Sequence, residues 1–517
     1  SSERRAPRPG AQRPSPPATT VEALVEELVG KRLPEDPVAF ERALDGLVRQ
    51  AHRDRAAVVE AVREAFPPHR WEQRTHHFTH EAHGIQVVLA GLLGVLNPTL
   101  ADFHRSKGHA ADLCLHQVLS GVLDARLWEA AALAGTDALP FLLAAPTRLT
   151  GAIDPPVLVE RLREYRDAGV APAPVDLAQA LVRVLRADPS AVRAAEDAEA
   201  LGTPAGVRLA SWLREETAVG ATVRLLRRGD DKTLRPYELM DRLVVDLGDH
   251  HAVRAEFPPA FQWLGGALGA TPRRCHHAIE DRAQWAPVLP ADRELLAACL
   301  LPTLAHGVDG DARGATEPLT ALVEADGQVG RAVLLALAFG LGGVDADDRL
   351  RAVDAVLVLA ARRDLNTRRL GEELAWLVAE GSVKPNRLAD AARTAAATGA
   401  YGTVWAILSA MLPHLLGATD TKDTKYTTEA TDTKEATETT GEARATTKAT
   451  VPARPVRGLG EVLAVAADCV ERCGAGGGVA GLDALAAERS STQLVVQAGR
   501  LLNALRQGGD HPPTQTD

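Results

Sequence analysis

The stretch from Pro140 to Leu185, PFLLAAPTRLTGAIDPPVLVERLREYRDAGVAPAPVDLAQALVRVL, sets the reading of the whole chain. It spells one complete helix-loop-helix unit. Asp154 stands before Pro155, which pairs a side chain able to accept orphan N–H bonds with a residue that loses none at the first helical position. Leu158, Leu162 and Tyr165 then recur at i, i+4 and i+7, on one helical face. Gly169 and the AlaProAlaPro run from Ala171 to Pro174 stop that helix. Asp176 is expected to open a second helix, with Leu177, Leu181, Val184 and Leu185 as its apolar stripe. Two short helices on a tight connection cannot bury their own stripes, so the unit needs neighbours of the same kind.

Composition supports that reading. Of 517 residues, 46% are hydrophobic but only 4% aromatic, so any core is made of Leu, Ala and Val, which favours helices over sheets. The net charge of −10 argues against a surface that grips nucleic acid over its whole extent. Cysteine occurs at 114, 275, 299, 469 and 473, an odd number with no CxxC pair, as a reducing, cytoplasmic setting predicts. No run of 18 apolar residues is present, so no membrane span is expected. The chain starts without Met, and we expect a fragment or processed piece of something longer.

Outward from the central unit, residues 1–19 are rich in Pro, Ser and Arg and read as a disordered tail. Thr20 caps a short helix that ends at Gly30, and Asp36-Pro37 opens the next, with Phe40, Leu44 and Leu47 as its stripe. A third helix runs from about Asp54 to Phe66. Ile85 to Leu96 reads as a buried helix ended by Asn97 and Pro98, and His109 to Leu123 as another. Ala187 to Arg228 reads as one or two helices, and residues 229–275 as mixed. From Ala291 regularity returns: helices over Leu295–Leu304 and Glu317–Glu324, a hairpin of Arg331–Leu341 with Asp345–Arg363, then helices opened by Asn366 or Thr367 and by Asn386, and a last one over Tyr401–Leu416. Asp345 and Asn386 lie 41 residues apart, near the roughly 40–47 of HEAT or armadillo repeats. Residues 418–457 form a Thr/Lys/Glu-rich linker; with 13 threonines between Ala418 and Thr450 and almost no apolar content, ordering it has nothing to offset its entropy. Residues 458–508 again look helical. About 50 residues make a marginal independent core, so they are expected to pack back on residues 20–417. Residues 509–517 are a second disordered tail.

Candidate chemistry is sparse. His76, His80 and His83 fall at i, i+4 and i+7, so one helical face could present three imidazoles to zinc. HEAH is one residue short of HExxH, however, and surface histidines are the default reading. Cys275, His276 and His277 could seed a ligand set or a nucleophile-base pair, but no partner carboxylate or second cysteine stands at a telling distance. Cys469 and Cys473 are one helical turn apart and read as buried small hydrophobes. The GAGGG run at Gly474–Gly478 fits a helix C-cap better than a phosphate loop, because Val479 stands where GxGxxG needs glycine. Arg224–Arg228 and Arg362–Arg369 are interspersed with acids and read as solvated helix faces. No catalytic residue and no cofactor motif is assigned.

The rhythm of helix pairs with Asp or Asn caps resembles HEAT- and armadillo-type α-solenoids. APTRLTGAIDPPVLVERL (Ala145–Leu162), DLAQAL (Asp176–Leu181) and GLGEVLAVAADCVERCG (Gly458–Gly474) resemble phrases of uncharacterised bacterial helical-repeat proteins. The resemblance implies an all-α solenoid and a non-enzymatic scaffold that binds another protein along its concave face. A nucleic-acid-binding array and an enzyme or metal protein with its site near His76–His83 are the alternatives.

Overall fold

The computed structural model describes residues 12–29, 36–66, 85–94, 115–136, 138–215, 221–225, 243–247, 257–265, 285–309, 313–417 and 456–509. Over these residues the chain is helical, apart from one antiparallel ribbon that pairs β1 (Ala221–Leu225) with β2 (Leu243–Leu247). Two compact units are formed: Ser1–Gly340 with Ala361–Asp364, and Leu341–Ala360 with Leu365–Asp517.

In the first unit, α1 (Val21–Val29) starts where Thr20 Oγ1 accepts the Ala23 N–H at 3.2 Å. Asp36 caps α2 (Pro37–Ala65), its Oδ1 accepting from Val38 and Ala39. A break at Asp54 divides α2, and there Asp54 Oδ1 accepts the Ala57 N–H at 3.0 Å, as a second cap would. Next come α3 (Ile85–Leu92) and α4 (Leu115–Ala134). Gly91 lets α3 approach α4 closely: a Cβ there would lie 2.0 Å from the Ala131 carbonyl oxygen. Val87, Trp128 and Ala131 are buried together at this crossing.

After an irregular stretch come α5 (Pro155–Asp167) and α6 (Pro174–Arg183). Their outer ends are tied by a parallel bridge: Ile153 N–H donates to the Arg183 carbonyl at 2.9 Å, and Leu185 N–H to the Ile153 carbonyl at 3.1 Å. Then follow α7 (Ala191–Glu199), α8 (Pro204–Arg214), the ribbon, 3-10 turns at Pro259–Gly265 and Ala286–Val288, and helices α9 (Arg293–Asp309), α10 (Pro318–Glu324) and α11 (Arg331–Leu341, whose last residue falls in the second unit). Helix α4 is the hub. It packs against α2, α3, α6, α9 and both 3-10 turns, so this unit is not a strictly serial stack of neighbours.

The second unit holds α12 (Ala346–Ala361, whose last residue falls in the first unit), α13 (Thr367–Ala379), α14 (Pro385–Ala397) and α15 (Tyr401–Leu415), then α16 (Leu459–Cys473), α17 (Leu482–Ala486) and α18 (Gln493–Gly509). Here packing follows chain order more closely: α15 touches α13, α14 and α16, and α16 touches α14 and α18. Asp345 and Asn366 cap α12 and α13 through the N–H groups of Asp347 and Arg369. Gly371 brings α13 onto α15, where a Cβ would meet the Ile407 carbonyl oxygen at 2.4 Å.

Several sequence expectations are corrected. Asp176 does not open α6; Ala173 does, and Asp176 is wholly buried in the first turn, because Pro174 rather than a side-chain cap sets the start. Asp154 holds the N-cap position of α5 but makes no cap bond, since Arg148 and Thr147 occupy its carboxylate. Val184 and Leu185 lie past the end of α6, in the bridge. Asn386 is inside α14, which Lys384 precedes. The helix at Leu115–Ala134 runs further than Leu123. The run ATVRL, placed in a helix by sequence, is β1; its β-branched Thr222 and Val223 pair with Asp246 and Val245 of β2. The hairpin expected of Arg331–Leu341 with Asp345–Arg363 straddles the division between the units. Residues 12–19, expected to be part of a disordered tail, are placed against α2. Residues 418–455 and 510–517 lie outside the described residues.

Candidate functional site

Between Leu139 and Pro146 the chain is irregular yet largely buried, and buried backbone polar groups need partners. Side chains from three helices supply them. Asp45 of α2 accepts the Leu142 N–H at 2.8 Å, and Asp176 of α6 accepts those of Leu143 at 2.6 Å and Ala144 at 3.2 Å. Tyr165 of α5 donates to the Phe141 carbonyl. Arg161 Nη1 donates to the carbonyls of Leu143 at 2.7 Å and Ala145 at 2.5 Å, and Arg183 Nη1 to that of Ala144 at 2.6 Å. The start of α6 is capped from outside: Glu129 of α4 accepts the N–H groups of Val175 at 2.9 Å and Asp176 at 2.8 Å. The positive end of α6 therefore meets a carboxylate, which suits the helix dipole.

Beneath this loop lies a buried ion cluster. Glu41 Oε1 accepts from Arg126 Nη1 and, at 2.7 Å, from Arg183 Nη2. Burial pushes the Glu41 carboxyl up, but the two guanidiniums outweigh it and hold the group down at about 2. Burial raises the Asp176 carboxyl, opposed by Arg126 and its two backbone donors. Arg183 also donates to the Pro287 carbonyl at 2.8 Å, and Gln179 to that of Val288 at 2.9 Å, so α6 holds the second 3-10 turn as well. The cluster contains no nucleophile-base pair. Its chemistry is to fix a loop.

On the outer side of the same loop is a groove walled by α2, α5 and residues 145–149. A strap from Gln12 to Ala18, sequence QRPSPPA, lies in it. Both ends are held through backbone carbonyls: Leu149 N–H donates to that of Gln12 at 3.0 Å, and Gln50 Nε2 to that of Ala18 at 2.9 Å. Prolines 14, 16 and 17 fix their own φ near −65° and bias the residue before each to extended backbone. Gly46 lies beneath the strap's last two residues; a Cβ there would be 3.4 Å from Leu24 Cδ1 of α1, 3.7 Å from the Ala18 nitrogen and 3.8 Å from Pro17 Cβ.

His76, His80 and His83 lie outside the described residues, as do Cys275, His276 and His277, and Arg227 and Arg228 of the first arginine run. Among the described residues no three His, Cys, Asp or Glu side chains are grouped to hold a metal. Cys469 is buried, and burial, then Cys473 and Asp468, push its thiol up to about 12. Cys473 is exposed, contrary to expectation, because it is the last residue of α16. Gly474, at φ +66°, is the C-cap of α16 as the sequence predicts. In the second arginine run Arg363, Arg368 and Arg369 are exposed as the sequence predicts, whereas Arg362 is mostly buried and donates to the Val323 carbonyl and to Glu324.

Glu41, Asp45, Arg126, Glu129, Asp176, Gln179 and Arg183 do not stand out in the sequence as a site. One signal is there: Asp176, Gln179 and Arg183, at i, i+3 and i+7, share one face of a helix otherwise made of Leu, Ala and Val. Polar groups set into an apolar helix predict buried partners.

Residues 35–203 match a family model described as a domain of unknown function, DUF7824. That segment contains the cluster, the buried loop and the walls of the groove; the strap precedes it. No curated protein matches the chain. No solved structure matches it. No helix among the described residues is long and apolar enough to cross a membrane.

Proposed function

We propose that this chain is a non-enzymatic helical-repeat scaffold that binds another protein, and that one of its contacts is the groove now partly occupied by the strap. The observation that carries the reading is the strap itself. A proline-rich segment with little conformational freedom to lose lies along helical walls, held through its backbone at both ends, with Pro14 and Pro17 half-buried between them. Proline-rich recognition uses the same physics, since a preformed extended peptide loses less entropy on binding. Asp45 and Arg161 of the walls are held by bonds to the buried loop, which favours a preformed groove. The order of packing in the second unit supports the helical-repeat part of the reading, because α13 to α18 rest on helices one or two places away in chain order.

The test is competition. A chain lacking residues 1–18 should bind a fluorescent QRPSPPA peptide saturably by anisotropy, and the full chain should bind it more weakly because its own strap competes. Gly46→Leu, checked by circular dichroism and thermal midpoint for an intact fold, should abolish the binding, since the added side chain meets the Pro17–Ala18 end of the strap as well as Leu24. Gly46→Ala, whose Cβ has 3.4 Å to its nearest neighbour, should retain it. Failure of the shortened chain to bind, or equal binding by Gly46→Leu, would remove the reading.

A further inference from the structure

Between the strap and the groove wall remains a cavity of about 230 Å³. Arg13, Arg42, Arg49 and Arg161 line it, with Asp45 the only carboxylate in the lining. Arg42 is matched by Glu27, to which its Nε donates at 2.5 Å. Arg49 Nε donates to Asp45 at 2.7 Å, and its guanidinium lies 4.6 Å over the Phe141 ring, which fixes the plane of the fork. Arg161 spends Nη1 on two loop carbonyls. Among the described residues, Arg161 Nε and Nη2, both terminal nitrogens of Arg49 and the whole Arg13 guanidinium have no protein acceptor. Burial lowers the Arg161 guanidinium below its ordinary value; Asp45 opposes this and Arg49 adds to it.

With Arg42 neutralised by Glu27, the three guanidiniums of Arg13, Arg49 and Arg161 share the single carboxylate of Asp45 and repel one another until an anion is placed between them. Two of them are held in plane, by stacking and by backbone carbonyls. Planar forks with spare N–H donors suit an oxyanion that accepts several bonds at once. We propose that this cavity is a binding site for a phosphate group, received by Arg49 and Arg161 from the wall and closed over by Arg13 from the strap. The group is either free phosphate or a phosphoryl group carried on a side chain, and the chemistry that recognises it is the same.

The full chain is titrated calorimetrically with inorganic phosphate, O-phosphoserine and acetate at constant ionic strength. Phosphate or O-phosphoserine should bind saturably, and acetate at least ~10-fold more weakly, since it offers fewer acceptor oxygens to the forks. Tighter binding of O-phosphoserine than of phosphate assigns the site to a carried phosphoryl group; the reverse assigns it to the free ion. Arg13→Gln alters an exposed side chain with no structural partner among the described residues, so folding is preserved, and it should weaken phosphate binding several-fold. Arg49→Lys keeps the charge but loses the fork and should weaken it about tenfold. No saturable binding, equal binding of acetate, or unchanged affinity in both variants would overturn the assignment.

Discussion

Arg183, the last residue of α6, donates to Glu41 near the start of α2 across 142 residues of sequence. The same guanidinium holds the carbonyls of Ala144 and Pro287, so one side chain ties α2, the buried loop and a 3-10 turn together. Removing one partner of a buried ion pair leaves the other charge uncompensated, typically a loss of about 3–5 kcal/mol. Glu41→Ala should therefore destabilise the first unit by an amount in that range, read from urea titration. A midpoint equal to that of the parent protein would show that the cluster contributes nothing.

Acid should weaken the fold through Glu41. Its folded pKa of about 2 lies below the ordinary value of 4.5, so its stabilisation is complete above about pH 4.5 and is lost as pH falls through 2. The difference corresponds to ~3 kcal/mol. Asp176 acts in the opposite sense. Its folded pKa is raised, so its contribution is complete below its unfolded pKa and is lost as pH rises through the folded one. Denaturant titrations between neutral and strongly acidic pH should show a shallower acid loss for Glu41→Gln than for the parent, and a steeper one for Asp176→Asn.

Gly91→Ala should be costly although alanine favours helices. The new Cβ would sit 2.0 Å from the Ala131 carbonyl oxygen and 2.5 Å from its carbon, both backbone atoms. Helices α3 and α4 must separate, and overpacking of this kind costs about 1–3 kcal/mol. A thermal midpoint at or above that of the parent would contradict the close crossing.

Glu129→Ala should cost about 1–3 kcal/mol, since two buried N–H groups at the start of α6 lose their acceptor. Hydrogen exchange at Val175 and Asp176 should quicken more than at the middle of α6. Equal protection at both places would mean that another group caps the helix.

Sequence alone determined most of the helices in the described chain. Leu158, Leu162 and Tyr165 recur with the helical period. Thr20, Asp36, Asp54, Asp345 and Asn366 sit at starts where short polar side chains reach nearby N–H groups, and Gly169, Gly381, Gly399 and Gly474 take the left-handed backbone at or near helix ends. All of these are interactions within a few residues, so a local pattern carries them. ATVRL reads as helix in the sequence because it is too short to reveal its period without its partner LVVDL, which lies in the stretch that reads as mixed.

Only the tertiary structure decided the role of the charges. Asp176 looks like a cap from its neighbours in sequence, but its carboxylate serves Leu143 and Ala144, and its own helix is capped by Glu129. Glu41, Arg126 and Arg183 are ordinary helix residues until the fold brings them together out of water. The strap, too, has a tail's composition, and the groove that holds it is built from α2 and α5. A buried ion or a bound peptide depends on partners far along the chain, and no local period or cap records which ones they will be.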